Sequence, residues 1–196
     1  MPNWCDTSYK CVGNSDEVRK LYSVLKYMEN RKTSILPNDF GKMWLGNLIH
    51  KLGGNWEELR CRGEITDFSL DGDILTINQQ TAWCEQEGVR LIIEQTFPSI
   101  KVYYLEQESG LGVFNTNDIT GEFFPERYFY ESHEDCEYFE TLNDAKEFIS
   151  RIVGYNIELS VVAINIALDD YEKSHKEENE DMFYFFMRFM HTTTKL

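Results

Sequence analysis

Residues 73–108, DILTINQQTAWCEQEGVRLIIEQTFPSIKVYYLEQE, carry the pattern that decides the fold of this chain. The runs at 74–77 and 100–104 alternate between apolar and polar residues, which is typical of half-buried strands. Between them the apolar residues of 89–93 have helical spacing, and Phe97-Pro98 ends that run. A strand, a helix and a strand within about 35 residues predict a crossover unit.

The N-terminal region predicts another strand followed by an amphipathic helix. Residues 4–12 (WCDTSYKCV) alternate as a strand, with every second side chain on one face. Asn14 is expected to cap the next helix, and Glu17, three residues later, completes a capping-box pattern. The apolar stripe of this helix comprises Val18, Leu21, Leu25 and Met28.

An insertion separates this helix from the second predicted strand. It covers about residues 33–60 and includes a short predicted helix at about 39–52. Residues 64–70 alternate as a strand, and Asp71-Gly72 is the turn of a hairpin that leads into the central stretch. An aromatic segment at 122–130 is expected to be an edge strand or an interrupted one, because it contains a proline.

The last third of the chain predicts helices. Residues 132–140 are acidic and predict a loop, after which Thr141 caps a helix. Residues 157–168 are almost entirely apolar and fit either a buried strand or a helix. Their length favours a helix that is apolar all round and lies inside the structure or against a partner. The tail from Met182 to Met190 (MFYFFMRFM) is also expected to be helical.

These elements predict an α+β fold with a ferredoxin-like split βαβ antiparallel sheet and helices mainly on one face. We expect a single domain over residues 1–196. Its core would cover 1–131, and a C-terminal helical extension at 140–196 would pack on that core. The length of the chain suits one well-buried core.

Composition limits the partners and the compartment. The chain has 34 acidic and 19 basic residues and a formal net charge of -15, which disfavours binding to nucleic acid or to anionic membranes. No apolar run approaches the length that crosses a bilayer, and the N-terminus does not resemble a secretory signal. The five cysteines are odd in number and lack CxxC spacing, so we expect reduced thiols in a cytoplasmic protein.

Several short segments resemble those of the YubB ferredoxin-like family, proteins of plasmids and phages whose biochemical role is not assigned. The segments are Asn3-Trp4-Cys5, Gly53-Gly54-Asn55-Trp56, Thr81-Ala82-Trp83, Phe97-Pro98, and Tyr104 and Glu106 before Gly110. The resemblance covers about residues 3–131, but Cys84-Glu85-Gln86-Glu87 stands where the family typically has a proline-containing turn. It implies a mobile-element origin and brings no catalytic residues, cofactor or metal.

The residues themselves give little support for catalysis or metal binding. Cys84 precedes a predicted helix, whose dipole lowers a thiol pKa, but no histidine lies in a recognisable catalytic motif. An ordinary thiol is the simpler interpretation. Residues 133–137 (HEDCE) include metal-ligand types but lack the spacing of a pre-formed zinc site. We therefore predict no catalytic residue, no cofactor and no metal.

Aromatic residues give the strongest indication of a binding surface, although core packing is the ordinary role of such side chains. An aromatic cleft with carboxylates beside it would suit a small or cationic ligand. If the C-terminal tail is exposed, it would bind a protein partner or a second copy of the chain. The predicted ligand or partner surface comprises Trp4, Trp56, Trp83, Tyr104, Glu106, Phe185 and Phe189.

Three hypotheses for function follow. The first is a non-enzymatic accessory protein of mobile-element origin that acts through protein contacts. The second is an acidic nucleic-acid mimic that occupies a DNA-binding protein, and it rests on the net charge alone. The third is a small-ligand binder or an enzyme that uses an aromatic cleft near Trp83 and Cys84.

Overall fold

The computed structural model describes residues 3–132, 135–178 and 187–194. It divides the chain into two compact units, Met1–Asp118 and Ile119–Leu196, each with its own hydrophobic core. Strands and helices occur in both units, which confirms the α+β class. The single-domain prediction, with the C-terminal extension packed on the core, concerns the relation between the units and stays a prediction.

The first unit contains a five-stranded antiparallel sheet in the order β2-β3-β1-β4-β5. The sheet has an additional strand, β5, beside β4, and this strand order does not confirm a ferredoxin-like arrangement. The strands and helices predicted around the central stretch are confirmed. The elements are β1 (Trp4–Val12), α1 (Ser15–Glu29), α2 (Leu45–Lys51), β2 (Gly63–Asp71), β3 (Ile74–Ala82), α3 (Glu87–Thr96), β4 (Lys101–Glu108) and β5 (Val113–Thr116).

One face of this sheet packs against the three helices in a single core. Tyr9 and Cys11 of β1 are fully buried there, as the period of two predicts. The predicted stripe of α1 is buried against them, and each fully buried leucine stabilises the fold by about 1.5–3 kcal/mol. Hydrophobic patterning therefore determines which face of the sheet the helices cover.

The capping box predicted for α1 is only half formed. Asn14 caps the helix, and its Oδ1 accepts a hydrogen bond from the Asp16 N–H at 2.8 Å. Glu17 instead accepts hydrogen bonds from the backbone N–H and hydroxyl of Ser99, at 2.9 and 2.7 Å. The carboxylate thus joins the start of α1 to the segment before β4, and these bonds lower the pKa of Glu17.

The insertion contains a shorter helix than the sequence predicts. The Asn38 side chain accepts hydrogen bonds from the N–H groups of Phe40 and Gly41, at 2.8 and 2.7 Å, and so holds a turn that competes with the helix. The chain then runs along the edge of β2, where the Ile65 N–H donates to the Met43 carbonyl at 2.9 Å. Helix α2 begins only after this contact, at Leu45.

The second unit contains a three-stranded antiparallel sheet in the order β7-β6-β8 and two helices. None of the helices among the described residues is long and apolar enough to cross a membrane. The elements are β6 (Tyr128–Ser132), β7 (Cys136–Phe139), α4 (Leu142–Val153), α5 (Val161–Glu178), β8 (Met187–His191) and β9 (Thr193–Thr194).

Two predictions for this unit are wrong, and a third is right in part. The segment at 122–130, expected as an edge strand or an interrupted one, forms a strand only from Tyr128, three residues after Pro125, and this strand lies between β7 and β8 rather than at an edge. The expected acidic loop at 132–140 contains β7, which pairs with β6. The C-terminal extension is not purely helical, since the end of the predicted tail helix is strand β8; residues 182–186 lie outside the described residues.

The helices of this unit follow the predicted pattern more closely. Thr141 caps α4, with its hydroxyl accepting from the Asp144 N–H at 3.2 Å. Helix α5 covers most of the ambiguous 157–168 segment, which confirms the helical interpretation. It is not buried all round, however, because Val162 and Ile166 are 68% and 56% exposed while its other face packs in the core.

Candidate binding groove

A row of aromatic rings crosses the end of the first unit where β1 begins. The Trp4 and Phe40 rings meet edge to face, with their centroids 6.3 Å apart. Phe40 and Trp44 are nearly parallel at 6.5 Å, and Trp44 meets Trp56 edge to face at 5.3 Å. These geometries are the favoured ones for aromatic pairs, so the rings fix one another in place.

Three of these rings form the floor of an open groove of about 440 Å³, which we call the aromatic groove. Trp44 is held there by a hydrogen bond from its Nε1 to the Cys61 carbonyl at 2.9 Å. Its ring lies against Gly46, where a Cβ would come within 2.4 Å of the ring carbons, so only glycine fits. The groove is lined by Phe40, Trp44, Trp56, Glu57, Cys61 and Arg62.

A smaller cavity of about 210 Å³, the arginine pocket, adjoins the groove and shares Cys61 and Arg62 with it. The Arg62 guanidinium lies over the Trp83 ring, 5.1 Å from its centroid, which is a cation–π contact. The lining residues of this pocket are Arg60, Cys61, Arg62, Ala82, Trp83 and Gln86.

Trp83 has a backbone conformation that bulky residues rarely adopt, with φ at 68°. Its N–H donates to the Asn3 carbonyl at 2.9 Å. The Gln86 side chain donates to the Cys84 carbonyl at 2.9 Å and accepts from the Arg62 N–H at 3.2 Å. The turn after β3 is therefore fixed from both sides, and it presents a half-exposed indole to the pocket.

The charges at this place differ from those of the chain as a whole. Arg60 and Arg62 are both exposed, and within the described residues neither forms a salt bridge with a carboxylate. The chain carries a net charge of -15, but the lining of this pocket includes two arginines and no carboxylate. They make the pocket a place where an anion is attracted.

The carboxylates that sequence patterning places near the aromatics are engaged inside the unit. Glu106 is buried and accepts hydrogen bonds from the Glu85 N–H and, at 2.8 Å, from the Asn115 side-chain amide. Glu85 accepts from the Tyr9 hydroxyl at 2.7 Å and from Arg90 Nε at 3.0 Å. These bonds anchor the turn before α3, and they leave neither carboxylate available for a surface array of the kind an acidic mimic needs.

Burial shifts the pKa values of this internal network. Desolvation raises the pKa of Glu85, although the hydrogen bonds from Tyr9 and Arg90 act in the opposite direction. Burial and the neighbouring Glu85 carboxylate raise the pKa of Tyr9 well above its usual range. Burial also raises the pKa of the Cys5 thiol to about 11. These groups therefore hold their protons more tightly than the same groups in water.

The structure separates the predicted surface residues into three groups. Trp4 and Trp56 lie on the aromatic row, and Trp83 lines the arginine pocket. Tyr104 and Glu106 are buried and line neither cavity, so the predicted acidic aromatic cleft is not formed within the described residues. Of the two tail residues, Phe189 lies in β8, while Phe185 lies outside the described residues.

The predicted thiol and metal alternatives gain no support from this geometry. Cys84 is half-buried and is not among the residues that line the two cavities. In the part of the chain that the structure describes, no group of histidine, cysteine, aspartate and glutamate is arranged to hold a metal ion. His133, from the segment considered as a metal ligand set, lies outside that part.

Sequence reasoning missed the basic side of the groove. Phe40 and Trp44 fall within the helix predicted at about 39–52, and helical spacing does not single them out as part of a site. The signal that could have found the site is Arg60-Cys61-Arg62, which places two arginines directly before a strand of an otherwise acidic chain.

Compared with known proteins, the chain matches no family model, no curated protein and no solved structure. The resemblance to the YubB family therefore stays a prediction.

Proposed function

We propose that this chain is a non-enzymatic interaction protein that binds a segment of a protein partner in its aromatic groove. The observation that carries the proposal is the open groove floored by Phe40, Trp44 and Trp56, with Arg62 at its border. Aromatic residues and arginine supply most of the binding energy at protein interfaces, especially where they line a pocket.

The shape of the groove favours a peptide segment over a small molecule. Small-molecule sites usually enclose most of the ligand surface. This groove is open, so a small ligand would leave much of its surface in water, whereas a chain segment can lie across the opening and insert one side chain. Glu57 and Arg62 border the groove and supply polar contacts for the backbone of such a segment.

A binding role also agrees with the state of the internal ionisable groups. Glu85 and Glu106 already have hydrogen-bond donors inside the unit. A general acid or base must instead reach a substrate. We therefore propose an accessory role rather than a catalytic one.

The wider setting of the protein is part of the same proposal. We infer a ferredoxin-like core because the chain order is β1-α1-β2-β3-α3-β4 once the inserted helix α2 is set aside, and because β1 lies between β3 and β4 in the sheet. With the resemblance to the YubB family, this arrangement supports a mobile-element origin. A cytoplasmic location is supported by Cys5, Cys11 and Cys61, which are buried as free thiols.

A selection from a random peptide library displayed on phage tests the binding role. The full chain is the bait, and enriched peptides are measured by calorimetry against the wild type and Trp56→Ala. Tyr27→Ala is the matched control, because Tyr27 is a half-exposed aromatic on α1 that does not line the groove.

We expect the enriched peptides to contain aromatic or large apolar residues and to lose at least tenfold in affinity with Trp56→Ala, but not with Tyr27→Ala. Trp4→Ala gives a second variant that changes the exposed end of the aromatic row, should Trp56→Ala fail to fold. A library with no enriched sequence, or peptides that bind both variants as they bind the wild type, would overturn the proposal.

A further inference from the structure

We infer that the arginine pocket recognises the free carboxylate at the C-terminus of the partner segment, while the last apolar side chains of that segment lie in the aromatic groove. The inference rests on the proposed function, since it names the chemistry of the segment that the groove binds. The proposed function requires that the bound segment has an apolar side chain. This inference requires in addition that the segment ends at its C-terminus in the pocket.

The two cavities are arranged to act on one ligand. They share Cys61 and Arg62, so a group in one cavity lies beside a group in the other. A C-terminal residue carries its carboxylate and its side chain on the same Cα atom. An apolar chain end can therefore place its side chain against Trp44 and Trp56 and its carboxylate beside Arg62.

The chemistry of the pocket is that of a carboxylate receptor. Arg60 and Arg62 offer planar guanidinium groups, which form paired hydrogen bonds with the two oxygens of a carboxylate. The guanidinium of Arg62 lies over the Trp83 ring, 5.1 Å from its centroid, and the cation–π attraction is separate from its five N–H donors. Neither arginine has a carboxylate partner within the described residues, so an incoming carboxylate need not displace one.

The overall charge selects a ligand that carries few negative charges. A chain of net charge -15 repels polyanions such as nucleic acid. The Debye length is about 8 Å at physiological ionic strength, so distant carboxylates are screened while the two arginines of the pocket lining act on a ligand at short range. A single terminal carboxylate gains from both arginines without bringing the repeated charges that the rest of the surface would repel.

The pocket is also held in place before a ligand binds. The Arg62 backbone donates to the Gln86 side chain at 3.2 Å and accepts from the Ala82 N–H at 2.9 Å. The Trp83 N–H is bonded to the Asn3 carbonyl, which fixes the other wall. Because the backbone of these walls is already ordered, binding does not have to order it.

Calorimetry with matched peptides on the full chain tests the inference. The probes are acetyl-Gly-Gly-Phe-Leu with a free C-terminus, the same peptide with a C-terminal amide, and an amidated peptide in which a glutamate side chain supplies the carboxylate. The variants are Arg62→Gln, Arg60→Gln and, as the matched control, Arg19→Gln, which changes an exposed arginine on α1.

We expect the free acid to bind at least tenfold more tightly than the amide and than the glutamate peptide. Arg62→Gln should remove most of this difference by weakening the acid more than the amide, and Arg60→Gln should reduce it. Arg19→Gln should leave it unchanged. Trp56→Ala should weaken the acid and the amide alike, because it alters the aromatic groove and not the pocket.

Equal affinity of the acid and the amide would overturn the inference while leaving the groove as a peptide site. Equal affinity of the free acid and the glutamate peptide would show that any carboxylate suffices, and so would also overturn recognition of a chain end. If no peptide bound at about 1 mM, the inference would fall, and the library selection would separately decide the proposed function.

Discussion

The first unit contains two pairs of charged residues that the protein uses in opposite ways. Glu85 and Glu106 are negative charges in an acidic chain, yet they are enclosed and supplied with hydrogen-bond donors from β1, β5 and α3. Arg60 and Arg62 are positive charges that could pair with many carboxylates, yet they stand exposed without a salt bridge within the described residues.

If the arginines bind a ligand as proposed, residue type alone does not separate structural charges from functional ones. A buried carboxylate whose hydrogen bonds are complete stabilises the fold and has little capacity left for a ligand. An exposed guanidinium without a partner adds little to stability but retains its donors. If this distinction holds, substitutions in the two pairs should affect different measurements.

Replacing Glu106 should have the largest effect on stability. Glu106→Ala removes the acceptor for the Glu85 N–H and leaves the Asn115 amide buried without this partner, so we expect a loss of about 3 kcal/mol in the free energy of unfolding. Urea denaturation measures it, with the exposed Glu58→Ala as the control. A loss no larger than that of the control would show that the buried bonds are not stabilising.

Replacing Glu85 should change how stability depends on pH. Burial raises the pKa of Glu85 in the folded protein, so folding favours the protonated form. The contribution of Glu85 to the stability of the wild type therefore falls as the pH rises from about 4 through the pKa of the folded state. Glu85→Gln lacks this titration. The variant should therefore gain stability relative to the wild type as pH rises from about 4 to 7.

Denaturation at several pH values within this interval gives the difference between the two proteins. Glu87→Gln is the matched control, because that side chain lies two residues further on, at the start of α3, and is 69% exposed. A difference between Glu85→Gln and the wild type that stays constant with pH, or falls as pH rises, would contradict the assignment of burial as the main cause.

The smallest effect on stability is expected for the arginines. Arg62→Gln should change the free energy of unfolding by no more than about 0.5 kcal/mol, because the side chain is exposed and forms no salt bridge within the described residues. Any loss in the free energy of unfolding would come from the cation–π contact with Trp83. A loss as large as that of Glu106→Ala would show that the pair is structural and would remove the contrast.

Much of the first unit could be predicted because its hydrophobic periods are regular. The apolar residues of α1 repeat with the period of a helix, and those of β1 and β3 alternate with the period of a strand. Turn residues mark the ends of these elements. The insertion could not be predicted in this way. Its conformation depends on hydrogen bonds from Asn38 and from the buried Asn47, which links the segment to Leu36 and Gly41, and apolar spacing does not report such bonds.

The candidate site could be predicted only in part. Trp4, Trp56 and Trp83 attract attention as residue types, and the structure places all three beside the two cavities. Tyr104 and Glu106 share the buried face of β4 with Val102, so the period of two could have excluded them. Strand β7 was missed because its segment is acidic, and acidic residues are depleted in strands; it pairs with β6, the strand that precedes it in the chain.

The placement of the tryptophans has a practical consequence for spectroscopy. All four tryptophans of the chain belong to the first unit, and each lies on the aromatic row or in the arginine pocket. Light that excites tryptophan alone will therefore report on this one region, while the second unit contributes no emission of its own. Binding in this region can therefore be followed in the unmodified protein by the wavelength and the quenching of tryptophan fluorescence.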